Sequence, residues 1–206
     1  MRPPLSPLLK NGPTEYNSPF ILFSEWIALA QKHESNDYNA MTLATVSSDS
    51  QPSARIVLLK DFDEKGFVFY TNLQSRKGQE LKACPKAALL FHWKSLGRQI
   101  RIEGQCIPVR ENEADSYFES RPRLSQIGAW ASAQSQPLEN REALVSRVEK
   151  LKRDYTGKAI PRPAHWSGWR LLPQALEFWQ EGKGRLHDRW HFKLSNNAWT
   201  VQRLNP

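Results

Sequence analysis

The chain has 206 residues, of which 39% are hydrophobic and 11% aromatic, which is enough for one folded domain with a core of its own. Its formal net charge of +8 favours an anionic partner (nucleic acid, a membrane surface or a small phosphorylated molecule), although dispersed cations also fit a surface that is merely solubilising. No apolar run is long enough to span a membrane, and the two distant cysteines, Cys84 and Cys106, exclude a zinc ribbon and predict reduced thiols in the cytoplasm.

The N-terminal part of the sequence divides into a tail and a helix. Residues 1–19 are rich in Pro, Asn and Ser, have no apolar signal-peptide core and are predicted to be a tail. Residues 20–33 repeat apolar side chains at helical spacing, with Phe23, Ile27 and Ala30 on one stripe. We therefore expect a helix here, at the start of a single domain that spans residues 20–206.

From residue 40 onward the apolar period changes to two, which is typical of strands. The runs 40–46, 54–60 and 66–71 are rich in β-branched and aromatic residues and are separated by turn-like segments. Residues 75–83 predict a short helix with Ser75 as its N-cap. Two further strands are predicted at 86–93 and 98–107.

The second half of the chain predicts helices and then strands again. Residues 111–120 and 138–155 have helical patterns on either side of a loop at 121–137, and strands return at 167–180, 189–194 and 198–204. Six or more short strands in meander order, with inserted helices, predict a mainly β fold: a small antiparallel barrel with peripheral helices.

The N-terminus of the predicted helix at 75–83 carries two cations, Arg76 and Lys77. A helix N-terminus has a partial positive charge, so two cations there are unfavourable unless an anion lies among them. A phosphate held by free backbone N–H groups and both side chains fits this pattern. Two exposed, solvated cations are the alternative.

Two other segments combine cations with possible phosphate chemistry. Arg55 and Lys60 are five residues apart, so in a regular strand their side chains point to opposite faces. They could then bind two different anions; a strand with charged ends is the alternative. The predicted loop after residue 120 brings Arg121, Arg123 and Ser125 close to Tyr117. Guanidinium and hydroxyl groups together suit a phosphate monoester, although an ordinary solvated loop fits equally.

The segment 177–190 places Arg185, His187 and Arg189 between two tryptophans. In a strand, His187 and His191 are separated by roughly 13 Å, too far for one metal ion, so we predict no metal site. Arg and His beside Trp can instead hold a flat anionic ring by stacking and hydrogen bonds. The residues thus indicate a phosphorylated cofactor and a phosphorylated substrate; a non-catalytic basic module that binds nucleic acid through Trp stacking is the alternative from another class.

An ordered set of motifs resembles the pyridoxamine 5'-phosphate oxidase family from about residue 37 to the end. The motifs are "RIVLLK", "FYTNLQSRKGQEL", "RQIRIEG", "SRPRLSQIGAW", "QSQ", "EFWQ" and "RLHDRW". The resemblance implies a split antiparallel β-barrel homodimer with peripheral helices, in which FMN lies in clefts at the subunit interface. It implies neither a nucleic-acid partner nor a membrane partner.

The resemblance also implies which residues form the site. The residues that match FMN positions are Arg55, Ile56, Val57, Leu58, Leu59, Lys60, Tyr70, Thr71, Arg76, Lys77, Gln99, Gln134, Ser135, Trp179 and Arg189. The residues that match substrate positions are Lys60, Tyr117, Arg121, Ser125, Arg185, Leu186, His187 and Asp37. In the family, the Lys, Tyr, Arg and Ser of this second set hold the substrate 5'-phosphate.

The implied reaction oxidises pyridoxine or pyridoxamine 5'-phosphate to pyridoxal 5'-phosphate, with dioxygen as acceptor and hydrogen peroxide as product (and ammonia from the amine). Of the implied catalytic residues, Arg185 packs over the pyridine ring and His187 hydrogen-bonds near the reacting substituent, so that positioning supplies most of the rate. The N-terminal segment with which the family covers its substrate has no clear match in residues 1–20. A rival within the same barrel class, an oxidase of a phenazine precursor, should not need Lys60, Tyr117, Arg121 and Ser125 together.

Overall fold

Nine strands and five α-helices make up the part of the chain that the computed structural model describes, residues 18–206. The helices are α1 (Pro19–His33), α2 (Arg76–Ala83), α3 (Glu111–Ser120), α4 (Arg123–Ala131) and α5 (Arg141–Asp154). The strands are β1 (Ala40–Val46), β2 (Pro52–Leu58), β3 (Asp61–Asp63), β4 (Gly66–Asn72), β5 (Lys86–Trp93), β6 (Arg98–Pro108), β7 (Trp166–Gln180), β8 (Asp188–Ser195) and β9 (Ala198–Leu204). The predicted tail at 1–19 lies outside the described residues, apart from Ser18 and Pro19.

All nine strands belong to one antiparallel sheet. Seven of them follow the order β2-β1-β5-β6-β7-β4-β3, while β8 pairs with the C-terminal half of β7 and β9 pairs with β8. The first and last strands of this order, β2 and β3, are separated in sequence only by Leu59 and Lys60. The Leu59 N–H donates to Asn39 O and the Lys60 N–H to Val68 O, both at 2.9 Å. Because one continuous segment thus pairs with both ends of the sheet, the sheet curls into a half-barrel.

The barrel confirms the predicted mainly β class, but the predicted meander order is wrong at β4. This strand pairs with β7, not with its neighbour β5. The short strand β3, where we expected a turn, pairs with β4. Sequence periodicity predicts which segments are strands, whereas pairing between segments about 100 residues apart depends on the folded core.

A bulge in the β6–β7 pair allows β7 to contain a proline. The register shifts between Glu103 and Gly104, where Pro173 faces Gly104 and Ala175 faces Glu103. Proline has no N–H to donate, so it is tolerated where the ladder is interrupted. A Cβ on Gly104 would lie 2.0 Å from Leu172 O, so only glycine permits this close approach.

Helix α1 packs on the sheet and completes the principal core. Ser18 accepts a hydrogen bond from Phe20 N at 3.3 Å as the N-cap, and Pro19 occupies the first turn, so the helix begins one residue before the predicted start. The predicted stripe of Phe23, Ile27 and Ala30 is buried, and Trp26 is fully buried beside it. The helix therefore contributes more than one apolar face to the core.

The predicted loop at 121–137 is wrong because it contains helix α4. Two carbonyls at the end of α3, Phe118 O and Glu119 O, accept from Gln126 Nε2 at 2.9 and 3.1 Å. Ile127 packs with Phe118 in a small second cluster under these helices. Only Ile127 and Ala131 give α4 a buried apolar stripe, so the sequence pattern is weak and contacts with α3 define the helix. No helix in residues 18–206 is both long enough and apolar enough to cross a membrane.

Candidate active site

A cavity of about 840 Å³ lies between β2, β4 and the helices α2, α3 and α4. Its volume is within the range of small-molecule sites, about 300–1,000 Å³. Four cationic side chains line it, from Arg55, Lys60, Lys77 and Arg121, and none of its lining residues is Asp, Glu or His. The wall therefore favours a ligand with more than one anionic group.

Lys77 supplies one cationic position of this wall. Its side chain is buried, and Nζ lies 3.2 Å from Thr71 Oγ1, 3.4 Å from Ser75 Oγ and 3.3 Å from Gln134 Oε1. Burial, and then the nearby charge of Arg55, lower its pKa. A buried ammonium group with only uncharged hydrogen-bond partners in reach is suited to an anionic ligand.

The N-terminus of α2 differs from the expected cradle of free N–H groups. Ser75 is the N-cap as predicted, and it accepts from Gly78 N at 3.4 Å. The Arg76 N–H donates to Ser135 Oγ at 3.1 Å. The Arg76 side chain does not line the cavity, because its Nε donates to Glu80 Oε1 at 2.8 Å. Anion binding here therefore depends on side chains more than on backbone groups.

The four residues expected to hold a substrate phosphate, Lys60, Tyr117, Arg121 and Ser125, all line this cavity. Lys60 Nζ lies 6.0 Å from the centre of the Tyr117 ring. The Arg121 guanidinium lies 4.5 Å from the centre of the Trp166 ring, and its buried Nη1 has no hydrogen-bond partner in the described part of the chain. Burial lowers the pKa of Arg121. Because Nη1 is itself buried, Arg121 contributes its positive charge and its remaining guanidinium N–H groups to the cavity wall.

Three stacked rings form one wall of the cavity. Tyr70 and Tyr117 have ring centres 4.1 Å apart, and Tyr70 and Trp166 have ring centres 5.3 Å apart with nearly parallel planes. Burial, followed by the charge of Glu113, raises the pKa of Tyr70 to about 12. The Tyr70 hydroxyl thus stays protonated at neutral pH, and the wall is an uncharged aromatic surface beside the cations.

Arg55 and Lys60 line the same cavity, in contrast to the strand-parity expectation that they lie on opposite faces. Strand β2 ends at Leu58, before Lys60, so its alternation does not extend to that residue. Lys60 instead follows the bend that leads into β3. The parity argument was wrong because it assumed a regular strand over 54–60.

A second group of expected site residues forms a row across β6, β7 and β8. Gln99 is paired with Trp179, and Trp179 is paired with Arg189. Directly opposed residues of an antiparallel sheet lie on the same face. Arg189 donates from Nε and Nη2 to the two oxygens of Glu177, at 2.9 and 3.1 Å, and these bonds raise its pKa. This row is not part of the 840 Å³ cavity.

The turn between β7 and β8 carries Arg185, Leu186 and His187. The rings of Trp179 and His187 have centres 4.6 Å apart, and the Gly182 N–H donates to His187 Nδ1 at 3.2 Å. Arg185 has φ of +65°, an uncommon conformation for a residue other than glycine. Leu186 is 73% exposed. None of these three residues lines the 840 Å³ cavity.

Two other expected site residues, Asp37 and Leu59, lie outside the cavity, and a third, Ile56, lines it. Asp37 is in the turn before β1 and does not line the cavity, Leu59 belongs to the principal core, and Ile56 is both exposed and at the cavity wall. Within residues 18–206, no group of three or more His, Cys, Asp or Glu side chains is arranged to hold a metal ion.

Sequence reasoning missed Trp166 and Glu80. Trp166 was placed just outside a predicted strand, and only the structure stacks it on Tyr70. Glu80 is four residues after Arg76, a spacing that indicates a helical ion pair. Its near-complete burial arises from contacts with β1 and β2, which the spacing does not reveal.

The curled antiparallel sheet, with a cation-lined cavity beside it, defines the class as a split β-barrel of the FMN-binding type. Residues 30–153 match the family model described as pyridoxamine 5'-phosphate oxidase. Residues 166–206 match the model described as the pyridoxine 5'-phosphate oxidase C-terminal dimerisation region.

Similar proteins are consistent with this match. The chain is 58% identical over 188 residues to a pyridoxine/pyridoxamine 5'-phosphate oxidase of Caulobacter vibrioides, covering 91% of this chain and 85% of that protein. It is 55% identical over 205 residues to the protein of the same name from Azorhizobium caulinodans, covering 98% and 97%. Among solved structures, PhzG from Burkholderia lata 383, in complex with tetrahydrophenazine-1-carboxylic acid, has a TM-score of 0.92 and 34% identity, covering 100% of this chain and 99% of that one.

The chain belongs to the pyridoxamine 5'-phosphate oxidase family. FMN is the cofactor of this family. The cavity fits that cofactor in its chemistry, since a buried ammonium group without an acidic hydrogen-bond partner suits the FMN phosphate and flat aromatic surfaces border the remaining space.

Proposed function

We propose that this protein is an FMN-dependent oxidase that converts pyridoxine or pyridoxamine 5'-phosphate to pyridoxal 5'-phosphate, with dioxygen as the electron acceptor. The observation that carries the proposal is that the cations lining this cavity have two different settings: Lys77 is bonded to hydroxyl and amide oxygens, whereas Lys60 and Arg121 lie beside the Tyr117 and Trp166 rings. Two groups suit two phosphates, one on the cofactor and one on the substrate. Curated relatives at 53–58% identity carry the corresponding name.

In this proposal Lys77, Thr71 and Gln134 hold the FMN phosphate. Their polar atoms lie within hydrogen-bond distance of one another, and an entering phosphate would take over the donors of Lys77 and Thr71 from Gln134 Oε1. When bound, FMN supplies the two-electron oxidation of the substrate and passes the electrons on to dioxygen. Arg55, Ile56, Val57 and Leu58 of β2 border the same space.

The substrate phosphate is assigned to Lys60, Tyr117, Arg121 and Ser125. Arg121 contributes its positive charge to this wall, and its guanidinium group lies over the Trp166 ring. Tyr117 and Ser125 add hydroxyl groups to the same wall. Binding the phosphate in a fixed place orients the reacting carbon, and we propose that such positioning supplies most of the rate acceleration.

The assignment of Arg185 and His187 to catalysis requires a second copy of the chain. Neither residue lines the phosphate-binding cavity of its own protomer. Both lie within the segment that matches a dimerisation region, which supports a homodimer. We propose that Arg185 and His187 of one protomer meet the cavity of the other, together with Gln99, Trp179 and Arg189.

The location and organisation of the enzyme are also part of the proposal. Cys84 and Cys106 are free cysteines, which supports a reducing cytoplasmic setting. Residues 20–206 are assigned to one oxidase domain and residues 1–19 to a tail.

The proposal is tested with the purified chain. We expect a yellow protein with flavin absorbance, which releases hydrogen peroxide and forms pyridoxal 5'-phosphate when pyridoxine or pyridoxamine 5'-phosphate is added. Unphosphorylated pyridoxine serves as the matched control and should react far more slowly. A colourless protein that cannot be reconstituted with FMN would contradict the proposal.

One comparison favours a second candidate, an oxidase of a phenazine precursor. PhzG, which binds tetrahydrophenazine-1-carboxylic acid, shares the whole fold with this chain. The convergence of Lys60, Tyr117, Arg121 and Ser125 supports the phosphorylated substrate instead. Anaerobic mixing of the yellow protein with each compound decides between the two candidates, because only the true substrate bleaches the flavin rapidly.

A further inference from the structure

The buried carboxylate of Glu80 lies at the junction of three elements. Its Oε2 accepts from Thr45 Oγ1 of β1 at 2.5 Å, from Ser53 Oγ of β2 at 2.7 Å and from Arg55 Nη2 of β2 at 3.1 Å. Its Oε1 accepts from Arg76 Nε on its own helix at 2.8 Å. Three donors thus saturate Oε2 and one donor reaches Oε1, so the carboxylate is engaged by protein groups on both oxygens.

Glu80 is ionised in spite of its burial. The side chain is only 5% exposed, and burial by itself favours the neutral acid. Hydrogen bonds from Thr45, Ser53, Arg76 and Arg55 outweigh this effect and lower the pKa to about 2. Glu80 therefore carries a full negative charge throughout the physiological range.

The charges around Glu80 match those of a phosphate monoester. Arg55, Arg76 and Lys77 supply three positive charges and Glu80 one negative charge, which leaves an excess of two positive charges. A phosphate monoester carries about −1.5 to −2 at pH 7. Arg55 and Arg76 each have a carboxylate partner, whereas the hydrogen-bond partners of Lys77 are uncharged, so Lys77 is the cation of the three that is left to an incoming anion.

We propose that Glu80 is a positioning residue for the FMN phosphate. It fixes the guanidinium group of Arg55 at the cavity wall and that of Arg76 beside it, and balances their charge, so that Lys77 can remain buried as an ammonium group. This inference rests on the proposed function, because it takes the ligand to be a flavin with a phosphate group. No ligand contact is assigned to Glu80 itself.

The test compares two flavins that differ only in the phosphate. The full-length chain is stripped of flavin and titrated with FMN and with riboflavin, and binding is followed by quenching of flavin fluorescence. In Glu80→Gln an NH2 group replaces one carboxylate oxygen, so either Arg55 or Arg76 faces a donor and loses its acceptor. We therefore expect the Kd for FMN to rise at least roughly tenfold, in line with the loss of a charged hydrogen bond. The Kd for riboflavin should stay within about twofold, as no phosphate contact is involved.

Two further variants make the test decisive. Glu149→Gln removes one exposed negative charge from α5 and should leave both Kd values unchanged, which controls for overall charge. If Glu80→Gln does not fold, Glu80→Asp replaces it: the charge stays, but the shorter side chain cannot reach both arginines, and the same loss confined to FMN is expected.

The possible results separate the inference from the proposed function. Equal losses for FMN and riboflavin, unchanged affinity, or tighter binding of FMN to Glu80→Gln would each overturn the positioning role. A wild-type chain that does not prefer FMN over riboflavin would instead overturn the proposed function. The two failures are therefore distinguishable.

Discussion

Two cations in the cavity wall, Lys77, which is buried, and Arg121, which is half-buried, have no acidic hydrogen-bond partner in residues 18–206. Lys77 Nζ contacts only uncharged oxygens, and Arg121 leaves Nη1 without a partner in residues 18–206. Burial of a charge without a counter-ion costs free energy in the ligand-free protein. We therefore expect these cations to lower the free energy of unfolding of the apoprotein and to raise its affinity for anionic ligands.

The variant Lys77→Met tests both effects at the position proposed for the FMN phosphate. Because burial lowers the pKa of Lys77, the unfolded chain binds a proton at this site more tightly than the folded apoprotein does. The cost is thus present below the lowered pKa and disappears as the pH rises towards the ordinary value of 10.5. We expect the apoprotein of Lys77→Met to unfold at a higher urea concentration at pH 7, and its Kd for FMN to rise roughly 10- to 100-fold. A variant that is both less stable and still binds FMN tightly would contradict this account.

Arg121→Ala tests the other phosphate position. Loss of a charged hydrogen bond costs about 1.5 to 3 kcal/mol, so kcat/KM for pyridoxamine 5'-phosphate should fall about 10- to 100-fold, through a higher KM and, because phosphate binding positions the reacting carbon, a lower kcat. Arg123→Ala is the matched control, since Arg123 is two residues further along and its guanidinium donates to backbone carbonyls of Lys158 and Tyr155. It should keep the wild-type KM. Steady-state peroxide release measures both variants.

At the scale of elements, the strands other than β3 were predictable because each of them carries its own pattern. Strands β1, β5 and β9 have the predicted bounds, since apolar alternation and flanking turn residues are local signals. Helix α4 was not predictable, because it is stabilised by contacts of Gln126 and Ile127 with Phe118 of α3 and has only a weak apolar pattern of its own. The end of β2 was also misplaced, because the bend at Leu59 and Lys60 depends on hydrogen bonds to Asn39 before β1 and to Val68 of β4, which the apolar periodicity of this segment does not reveal.

The glycine in α4 gives an element-scale prediction. Gly128 lies in the interior of this helix, and an added Cβ would meet nothing within 4 Å in the ligand-free structure. Gly128→Ala should therefore raise the free energy of unfolding of the apoprotein by about 0.5 to 1 kcal/mol. Gly157 has the same open space but a φ of +70°, so Gly157→Ala should instead lower it by about 1 to 2 kcal/mol. Urea unfolding of both apoproteins measures the difference, and a destabilised Gly128→Ala would show that α4 is held in a strained form.

At the scale of the whole molecule, the sequence predicted the members of the site better than their arrangement. Lys60, Tyr117, Arg121 and Ser125 were expected together and do line one cavity. Arg185 and His187 were expected beside them, but within one protomer they lie on the turn after β7, outside that cavity. A motif records which side chains a reaction needs, and it does not record which copy of the chain supplies them.

The proposed division of the site between two protomers predicts complementation of inactive variants. Arg121→Ala damages the cavity group, and His187→Ala damages the turn group. A mixed dimer then has one site with both defects and one site with none. Random pairing makes about half of the dimers mixed, so unfolding and refolding the two variants together should restore about a quarter of the wild-type activity.

The matched control for complementation is a mixture of Arg121→Ala with Lys60→Ala. Both changes affect the cavity group, so every site in every dimer keeps one defect and no activity should return. Rates are measured at a substrate concentration well below KM, where loss of phosphate binding is fully expressed. If the first mixture stays as inactive as the second, each site is built within one protomer. The turn that carries Arg185 and His187 would then have to move towards its own cavity for catalysis, and the homodimer would have no part in forming the site.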